Sequence, residues 1–580
     1  MFGWTLVALL CLMVVASLWI GVRGALAYQH LARIQTSVSE GAGFFLADPS
    51  AVSTLDRLAA DAAASHELTS DPVWKIAESA PWVGPQLKAV ATVAASSDEL
   101  LGGSLSPFVS ATQGASIDAL KPVNGHIDVA ALSTLASPAQ TASVRARHAA
   151  DALHELDRAP LIGIVGASVD EVSDLTSQAA ATLEGLARTT QLLPGMLGDS
   201  GPRTYLLLVQ NNAEWRSLGG ITGTAILIRT DAGSVALGDA QSATALSSSI
   251  IEPVVTLPPD LTSIYATRPA RYFHNLTQIP DFSVDGPLAQ AMYERATGTK
   301  VDGVIAIDPV ALSYLLQTTG PVALPEGIAL SADNAAPFLL NTVYLDHPDP
   351  AVQDALFAQA AGAVFQALLE GKGSTLGLTS ALSRATAEHR LLLWSSHSDE
   401  QTAVDGTPVA GELPVSDART ARFGVYLNDG VGSKMSYYVT PDVTLSQAPC
   451  APAESQLRRE VTLSLTLTNG APTDAGSTLP EYITGGEGYG KTPGNAKTVV
   501  NMYLPEGAEL VSATTSDGSP YESHGYQERQ VLTFGSDLAP GSSTSILVTI
   551  RIDSSVSDVE GLVTPTANAA LKPVVAATCK

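Results

Sequence analysis

Charges are scarce and cysteines very few in this sequence of 580 residues. Charged residues make up 15% of it and hydrophobic residues 45%, which excludes a wholly disordered or fibrous chain. Three cysteines are too few for a disulfide-built scaffold, and the ten histidines lack zinc-site spacing, so no metal site and no cofactor are predicted. Lysine and arginine number 31 against 57 acidic residues, and the net charge of −26 argues against nucleic acid as a partner.

The common catalytic signatures are also missing. No GxSxG, HExxH or CxxC pattern occurs, which removes the commonest hydrolase, zinc-protease and redox classes. The stretch GGEGYGKT, with Gly485, Gly490, Lys491 and Thr492, matches the phosphate-binding loop pattern. A working loop of this kind needs a helix directly after it, whereas Pro493 and a β pattern follow here, so no nucleotide partner is predicted. One cluster of acidic residues and a histidine could bind a divalent cation: Asp346, His347, Asp349 and Asp354. A solvated edge between a helix and a loop explains this cluster better.

A long uncharged run opens the sequence. Phe2 to Val22 carries no charge, and at ~1.5 Å per residue a helix of this length crosses the ~30 Å hydrocarbon layer. A cleaved signal peptide is the alternative, but it would need a basic segment before the apolar one, and only Met1 precedes. We therefore predict a transmembrane anchor over residues 1–24 of a single-pass cell-membrane protein.

Two features conflict about the side on which the bulk of the chain lies. Arg23 and Arg33 follow the span, and the positive-inside rule would keep that side in the cytoplasm. Cys450 and Cys579 bracket a β-rich segment, as a disulfide would in an oxidising compartment. We predict that these two cysteines are bonded and that the bulk of the chain is extracytoplasmic.

Residues 25–198 have the composition and periodicity of a helical region. Asp71 followed by Pro72 is an N-cap and first-turn pair that opens a short helix, and the turn PWVGP at residues 81–85 follows it. Ser168 and Glu171 form a capping box, which predicts that another helix begins there. Its buried stripe is predicted to be Val172, Leu175, Ala179, Leu183 and Leu186.

The remaining sequence predicts two further domains. In residues 199–415, strand patterns such as TYLLLVQ, AILIRT and VDGVIAI alternate with helical ones, which indicates an α/β (α+β) core. AILIRT and SVALGD read as a hairpin turned at Asp231 to Gly233, while Asn334 to Leu345 and Ala351 to Leu369 are predicted to be helical. In residues 416–580, runs with period two between Pro and Gly turns predict an all-β sandwich. The predicted fold class is therefore multidomain, with an N-terminal transmembrane helix, a helical region, this core and a C-terminal β-sandwich.

The stretch QNNAEWRSLGG, at residues 210–220, is the most informative polar segment. It leaves a predicted buried strand and ends in a glycine pair that permits a tight backbone. Strand ends are where α/β folds place their sites, but the same side chains could instead form a buried structural network. The candidate binding residues from this segment are Asn211, Asn212, Glu214, Arg216, Gly219 and Gly220.

Several blocks resemble one known family. YLLLVQNNAEWRSLGGITG and VDGVIAIDPVALSYLLQTTGPV, with the upstream DPVWKIAESAPWVGPQLKAV and PLIGIVG, are similar to the domain-of-unknown-function 4012 (DUF4012) family of bacterial, often actinobacterial, envelope proteins. The resemblance covers most of residues 1–400. It implies an N-terminal anchor, a helical region, a core and a β-rich tail, and it implies a place in the cell envelope more than a chemistry.

A more distant resemblance concerns the LytR-CpsA-Psr phosphotransferases, which move glycopolymers from a polyprenyl-pyrophosphate lipid to the cell wall. LLLVQNNAEWR is similar to that family's first strand and acidic loop, and AAPFLLNTVYLD falls where the family has an arginine-bearing helix. No arginine is present in this last segment, although a pyrophosphate clamp needs bidentate cations. We expect Arg216, Arg268 and Arg271 to be the remaining candidates, in a pocket shared with Asn211, Glu214 and Asp281.

Two functions follow as hypotheses. The first is a binding or scaffold protein of the envelope that engages a polyprenyl-linked saccharide or a wall polymer. The second is a LytR-CpsA-Psr-like phosphotransferase, which would require a divalent cation on an acidic ligand. The first is favoured, because phosphoryl transfer is mostly positioning and charge neutralisation and the arginines of the resembling family are missing.

Overall fold

The structure is a computed structural model that describes residues 2–41, 49–112, 121–123, 125–447, 458–486, 492–556, 558–568 and 574–576. It contains two compact units, one formed by residues 1–122 and 126–200 and the other by 123–125 and 201–580. The described part of the first unit is helical, and the second combines sheets with helices. The predicted progression from helices to sheets is confirmed, and the fold is α+β.

The first unit is a bundle with small side chains in its core. Alanines of the central helices pack against one another and against leucines of their neighbours, as at Ala142, Ala146 and Leu183. The short third helix is capped as predicted, because the Asp71 carboxylate accepts from the amides of Val73 at 2.8 Å and Trp74 at 3.2 Å. The helices are α1 (Phe2–Gly41), α2 (Pro49–Thr69), α3 (Pro72–Ala77), α4 (Val83–Asp98), a π-helical segment (Glu99–Leu105), α5 (Ser106–Thr112), α6 (Val129–His154) and α7 (Gly163–Met196).

The predicted start of the last of these helices is wrong. Helix α7 begins at Gly163, and Ser168 lies inside it with its hydroxyl donating to the carbonyl of Ile164 at 3.0 Å. Leu175, predicted to be buried, is exposed. Small side chains of α7 make the close contact with the Ala-rich face of α6. The buried stripe of α7 therefore differs from the predicted one, which consisted mainly of large apolar residues. It consists of Val169, Ser173, Thr176, Ala180, Leu183, Ala187 and Thr190.

The predicted membrane span lies at the start of α1, whose helix continues well beyond it to Gly41. The side chains of residues 2–13, including Cys11, lie outside the described residues. Among the side chains that are described, one helix has the length and apolar composition of a membrane span, Pro350–Leu369. One face of that helix packs into the core of the second unit through Leu356, Ala360 and Val364.

A mixed sheet in the second unit positions the candidate site. Its strand order is β3-β2-β1-β4-β7, where β1 and β4 are parallel and the other neighbours are antiparallel. Strands β2 and β3 form the predicted hairpin, whose turn residues Ala232 and Gly233 both have positive φ. The strands are β1 (Arg203–Arg216), β2 (Gly219–Asp231), β3 (Ser234–Ser242), β4 (Gly303–Ile307) and β7 (Leu391–Ser395), and the small strands β5 (Val322–Ala323) and β6 (Ala329–Leu330) pair separately.

Helices surround this sheet. The segment predicted to be helical from Asn334 to Leu345 is helical from Ala335 to Asp346 with a π-helical centre at Phe338–Thr342, and the next predicted helix is confirmed. The helices are α8 (Ala243–Ser248), α9 (Pro259–Tyr265), α10 (Phe282–Thr297), α11 (Pro309–Thr319), α12 (Ala335–Pro337), α13 (Val343–Asp346), α14 (Pro350–Leu369), α15 (Thr375–Ala387) and α16 (Ser398–Val404).

Two further five-stranded sheets follow, in the orders β12-β15-β10-β9-β17 and β13-β14-β11-β8-β16. Their inward side chains, such as Leu465, Val548 and Val500, belong to one hydrophobic cluster that also contains Trp215 and Tyr344. The core therefore runs without interruption from β1 into both sheets. The strands are β8 (Thr420–Asp429), β9 (Val439–Gln447), β10 (Arg458–Asn469), β11 (Ala496–Tyr503), β12 (Glu509–Thr515), β13 (Tyr521–Tyr526), β14 (Arg529–Leu538), β15 (Ser543–Asp553), β16 (Asp558–Val563) and β17 (Val574–Ala576), with the short helices α17 (Ala475–Thr478) and α18 (Glu481–Thr484).

Two sequence predictions fall partly outside the described chain. Cys450 and Cys579 both lie there, so their pairing stays a prediction. Gly490 and Lys491 of the GGEGYGKT segment lie there as well. After Thr492 the chain makes a turn and enters β11, so the described residues that follow this segment form a strand.

Candidate functional site

The polar residues after Val209 lie on strand β1 and not in a loop beyond it, which corrects the sequence interpretation. The pairing of β1 with β2 shifts register between Val209 and Gln210 and again between Asn211 and Trp215. At the second shift Asn211 pairs with Ile221 and Trp215 with Gly220, so three residues of β1 bulge out of the ladder. The bulge directs Asn212 and Glu214 into the interior, where both are buried.

The glycine pair is required where the chain turns from β1 into β2. Gly219 has φ 129°, a conformation that side chains disfavour. A Cβ on Gly220 would lie 2.2 Å from the carbonyl carbon of Asn211, so the two backbones approach too closely for any other residue. These two glycines shape the end of the β1–β2 hairpin and offer no chemical group of their own.

Glu214 lies between two cations. Its carboxylate is 3.2 Å from the guanidinium of Arg216 and 2.6 Å from the ammonium of Lys434, and all three side chains are buried. Burial acts to raise the pKa of Glu214, but the two cations outweigh it and the pKa lies below its ordinary value. Burial also acts to lower the pKa of Lys434, which Glu214 nevertheless raises. The triad is therefore charged throughout.

Arg216 uses its donors within the protein. Its Nη1 donates to the carbonyl of Trp215 at 2.7 Å, and its Nε and Nη2 both donate to the side-chain oxygen of Asn275 at 3.2 and 3.1 Å. Together with the bond to Glu214, these contacts use four of the five N–H donors of the guanidinium. Arg216 has the surroundings of a structural residue.

Aromatic rings enclose the Lys434 side of this triad. The Nζ of Lys434 lies 5.8 Å from the ring centre of Tyr344 and 5.4 Å from that of Tyr482. The amide of Asn211 donates to the hydroxyl of Tyr344. Tyr344 is buried while Tyr482 is exposed, so the triad lies beneath a partly open aromatic cover.

A second buried ion pair lies where the parallel pairing of β1 with β4 ends. Asp308 directly follows β4 and caps α11, and its carboxylate accepts from Arg390 at 2.7 Å and from the amide of Asn212 at 3.0 Å. Arg390 also donates to Glu388 at 2.8 Å and to two backbone carbonyls of the C-terminal segment, those of Thr566 at 2.9 Å and Asn568 at 2.8 Å. Neither Arg390 nor Asp308 has any exposed side-chain surface. This pair is structural.

Arg268 and Arg271 behave differently from these buried arginines. Arg268 is exposed and Arg271 is half-buried, with its guanidinium 4.9 Å from the ring centre of the exposed Tyr272. Neither arginine forms an ion pair with any residue of the described chain, and the buried Nε of Arg271 has no hydrogen-bond partner there. The loop that carries them continues to Asn275, the side chain held by Arg216.

Asp281 belongs to a separate cluster. Its carboxylate caps α10 by accepting from the amide of Ser283 at 3.0 Å, and burial raises its pKa. Asp285 is fully buried beside it, and burial followed by the charge of Asp281 raises the pKa of Asp285 well above its ordinary value, against an opposite effect of the Thr277 backbone. Tyrosines 265, 426, 503 and 526 surround the pair. Hydrogen bonds bring Glu214, Arg216 and Asn275 together, whereas no hydrogen bond or ion pair among the described residues joins Asp281 to them.

The acidic residues near His347 are dispersed over a helix start. Asp349 caps α14 by accepting from the amide of Ala351 at 2.9 Å, and burial raises the pKa of Asp354. Within the described chain no group of three or more His, Cys, Asp or Glu side chains is placed to hold a metal ion.

These elements define an α+β protein with two buried ion-pair networks beneath the end of its mixed sheet. Residues 200–344 match the sequence profile of a family described as Protein of unknown function (DUF4012). The match begins just before β1, ends within the helical segment that carries Tyr344, and contains every candidate binding residue from Asn211 to Asp281. It confirms the DUF4012 resemblance over this part of the chain. No curated protein and no solved structure matches the chain.

Sequence reasoning missed Lys434 and Arg390. Lys434 is 220 residues away from Glu214 along the chain, and Arg390 is 82 residues away from Asp308, so no local pattern connects them. Asp308 did carry a signal. It stands directly before Pro309 at the end of a buried strand, the position of a helix N-cap.

Proposed function

We propose that this protein is a single-pass membrane-anchored protein of the cell envelope with an extracytoplasmic bulk, which binds a polyprenyl-linked saccharide or a wall polymer through anionic phosphate groups. The observation that carries the proposal is the pair of arginines without carboxylate partners, Arg268 and Arg271. In a chain of net charge −26, cations that find no acid among the described residues are suited to an external anion.

The loop that holds these arginines is well supported. Asn275 is fixed by Arg216, and the ring of His274 lies 3.2 Å from the hydroxyl of Thr244. A loop fixed by a buried network loses little conformational freedom when a ligand binds. The exposed ring of Tyr272 beside Arg271 adds an amphipathic surface next to the two guanidinium groups. In this proposal Glu214, Arg216 and Lys434 support the binding loop from behind.

The exposed side chains in the first half of α1 support the membrane anchor. Val14, Val15, Leu18, Trp19 and Val22 are all exposed on the first unit, although each is apolar. A contiguous exposed apolar surface of this kind marks a contact with lipid or with another protein. The uncharged sequence before it supports the choice of lipid.

Binding is proposed in preference to phosphoryl transfer because of Arg216 and Arg390. Each is buried and uses four of its five N–H donors on acceptors of the protein itself, so neither can bind a pyrophosphate bidentately. Of the three arginines that the sequence predicts for an anion site, Arg268 and Arg271 remain to bind it. A transferase would need further positive charge at the transferring group.

The test uses the full-length protein in lipid nanodiscs and calorimetric titration with a short-chain prenyl pyrophosphate. The same prenyl alcohol and a soluble phosphate-bearing wall-polymer fragment are the comparison ligands, and they separate a lipid carrier from a polymer. Replacing both loop arginines by glutamine should weaken binding at least about tenfold, since each lost charge-assisted hydrogen bond costs about 1.5–3 kcal/mol. Arg271→Lys should recover only part of this loss, because lysine cannot bind bidentately.

Arg295→Gln is the matched control, since Arg295 is an exposed arginine on α10. It should bind as the wild type does, and all variants should keep the wild-type melting temperature. Equal affinity for the pyrophosphate and the alcohol, with no binding of the polymer fragment, would overturn the proposal. So would wild-type affinity in the double variant. Release of a prenyl phosphate during the titration would identify a transferase instead.

A further inference from the structure

The turn at residues 81–85 presents a tryptophan to solvent. Trp82 is 90% exposed, in contrast to Trp74 eight residues earlier, which is buried. The amide of Val83 donates to the carbonyl of Pro81 at 2.8 Å, so Trp82 is the central residue of a γ-turn, with φ 68° and ψ −45°. A positive φ at a residue other than glycine is strained and is characteristic of functional positions. The proposed ligand-binding loop makes no use of this turn.

Other exposed apolar side chains lie on the segments that meet at this turn. Gln86 ties the turn to the connection before α7, because its side chain donates to the carbonyl of Pro160 at 2.8 Å and accepts from the amide of Ile162 at 3.1 Å. We call the resulting surface the Trp82 patch. Its members, with their exposed fractions, are Ile76 (73%), Trp82 (90%), Val83 (57%), Ile162 (56%) and Ile164 (77%).

The patch lies at the end of the bundle from which the apolar start of α1 projects. Helices α1 and α2 pack antiparallel, with Arg33 bonded to Asp61, and with Arg23 bonded to the carbonyl of Leu68 at the end of α2. Arg23 also lies 3.0 Å from Asp71, the cap of α3, and its guanidinium lies 5.3 Å from the ring centre of Trp19. Residues before Arg23 therefore extend past the end of α2, toward the side on which α3 and the Trp82 turn follow.

Helix α7 starts at the same end of the bundle. Gln35 donates to Glu171 at 2.8 Å, and Leu31 packs in one cluster with Val165 and Val169. Helices α1 and α7 therefore run in the same direction, so the first residues of α7 lie beside the part of α1 that precedes Leu31. This brings Ile162 and Ile164 to the level at which α1 leaves the bundle.

We infer that the Trp82 patch rests in the headgroup region of the bilayer that holds α1, which makes it a second membrane contact of the helical unit. Tryptophan favours this interface because its ring is apolar and its N–H is polar, and the four aliphatic side chains would replace contact with water by contact with acyl chains. The inference rests on the proposed membrane anchor. A lipid surface is the occupant that the contacts favour, since the patch lies at the end of the bundle from which the exposed apolar face of α1 projects.

The test is tryptophan fluorescence of the full-length protein in liposomes whose lipids carry bromine either near the headgroup or near the chain end. The emission difference between the wild type and Trp82→Phe reports Trp82 alone. Bromine near the headgroup should reduce this difference at least about twofold, because an interfacial ring lies within contact distance of the upper acyl chain. Bromine at the chain end should have a smaller effect. Phenylalanine keeps the aromatic ring, so the variant is expected to fold.

Two further variants distinguish a failure of the inference from a failure of the anchor. Trp19→Phe reports the apolar part of α1 in the same way. If Trp19 is quenched and Trp82 is not, the patch does not touch lipid while the anchor stands; if neither is quenched, the anchor itself is refuted. Thr134→Trp in the Trp82→Phe background is the matched control. Thr134 is exposed and lies near the start of α6, whereas the connection that carries Ile162 follows the end of α6, so a tryptophan at this position should not be quenched. Quenching of the control equal to that of Trp82 would overturn the inference.

Discussion

The guanidinium of Arg390 and the carboxylate of Asp308 lie 2.7 Å apart, and neither side chain has any exposed surface. The pair joins the end of β4 to the start of β7, and Asn212 and the carbonyl of Thr566 complete its hydrogen bonding. Charges buried this completely are stable only when each has its partner. The stability of the second unit should therefore depend strongly on keeping both partners of this pair.

Replacing Arg390 by methionine should lower the free energy of unfolding by about 3–5 kcal/mol, because Asp308 would be left as an unpaired buried charge. Urea denaturation measures this change. In the double variant Asp308→Asn, Arg390→Met no charge is buried, so it should lose less than the single variant. A loss below about 1 kcal/mol in Arg390→Met would contradict this account.

Glu214→Gln should also destabilise by about 3–5 kcal/mol, because Arg216 and Lys434 would remain as neighbouring buried cations. The native pKa of Glu214 lies below its unfolded value, so the unfolded state binds more protons in the window between them. Wild-type stability should therefore fall as the pH drops below about 4.5 through that window. The gap between wild type and variant, measured by denaturation across this range, should narrow on acidification. A gap that does not change with pH would show that Glu214 is not held ionised.

Asp285→Asn is expected to stabilise the protein at neutral pH by about 1 kcal/mol, since it removes a carboxyl group that is costly to ionise in its buried place. The native pKa of Asp285 is raised, so the native state keeps a proton that the unfolded state loses. Wild-type stability is therefore lost as the pH rises above about 4, the ordinary value for aspartate. The advantage of the variant should vanish near that pH. Thermal unfolding at neutral and acidic pH checks this, and a destabilised variant at neutral pH would contradict it.

Gly220→Ala should destabilise by about 3 kcal/mol or more, because the new Cβ would lie 2.2 Å from backbone atoms of Asn211 that cannot move freely. Gly223→Ala on the same strand is the control. Its Cβ would lie 3.9 Å from the nearest atom, the carbonyl oxygen of Val209, so its effect should stay within about 1 kcal/mol. Chemical denaturation measures the free energy of unfolding of both variants. Equal losses in the two would show that the close approach of the two backbones at Gly220 does not matter for stability.

The pairing of Cys450 with Cys579 stays a prediction from sequence. In unreduced protein purified from its native envelope, neither thiol should react with an alkylating reagent, as mass spectrometry of peptides can show. Closing so long a loop should stabilise the protein by roughly 4–5 kcal/mol on the chain-entropy account. Alkylation of both cysteines would also remove the main argument for an extracytoplasmic bulk.

Local patterns predicted local structure well. The hairpin of β2 and β3, the strand β4 and the cap at Asp71 were all predicted, because each depends on residues within a few positions of one another. The start of α7 was predicted wrongly for a related reason. Ser168 and Glu171 have the spacing of a capping box, yet the residues before them are equally able to form helix, and tertiary contacts extend α7 back to Gly163.

The candidate site was predictable only in part. Glu214 and Arg216 were found because they stand together at the end of an apolar run. Their pairing with Lys434 was not found, because Lys434 reaches Glu214 from a distant part of the chain. The sequence could not show that a three-residue bulge in β1 turns Glu214 inward, where a carboxylate becomes a structural group.

The bonds that join β1 and Ser217 to residues 564–565 also bear on the order of folding. Asn212 donates to the carbonyl of Pro565, 353 residues later, and the hydroxyl of Thr564 donates to the carbonyl of Ser217. An emerging chain must therefore keep these polar groups of the early strand without these partners until residues 564 and 565 have been synthesised. Contacts of such long sequence separation slow folding and prolong the exposure of aggregation-prone strands. We expect a newly made chain to depend on a holding chaperone until its C-terminal segment docks.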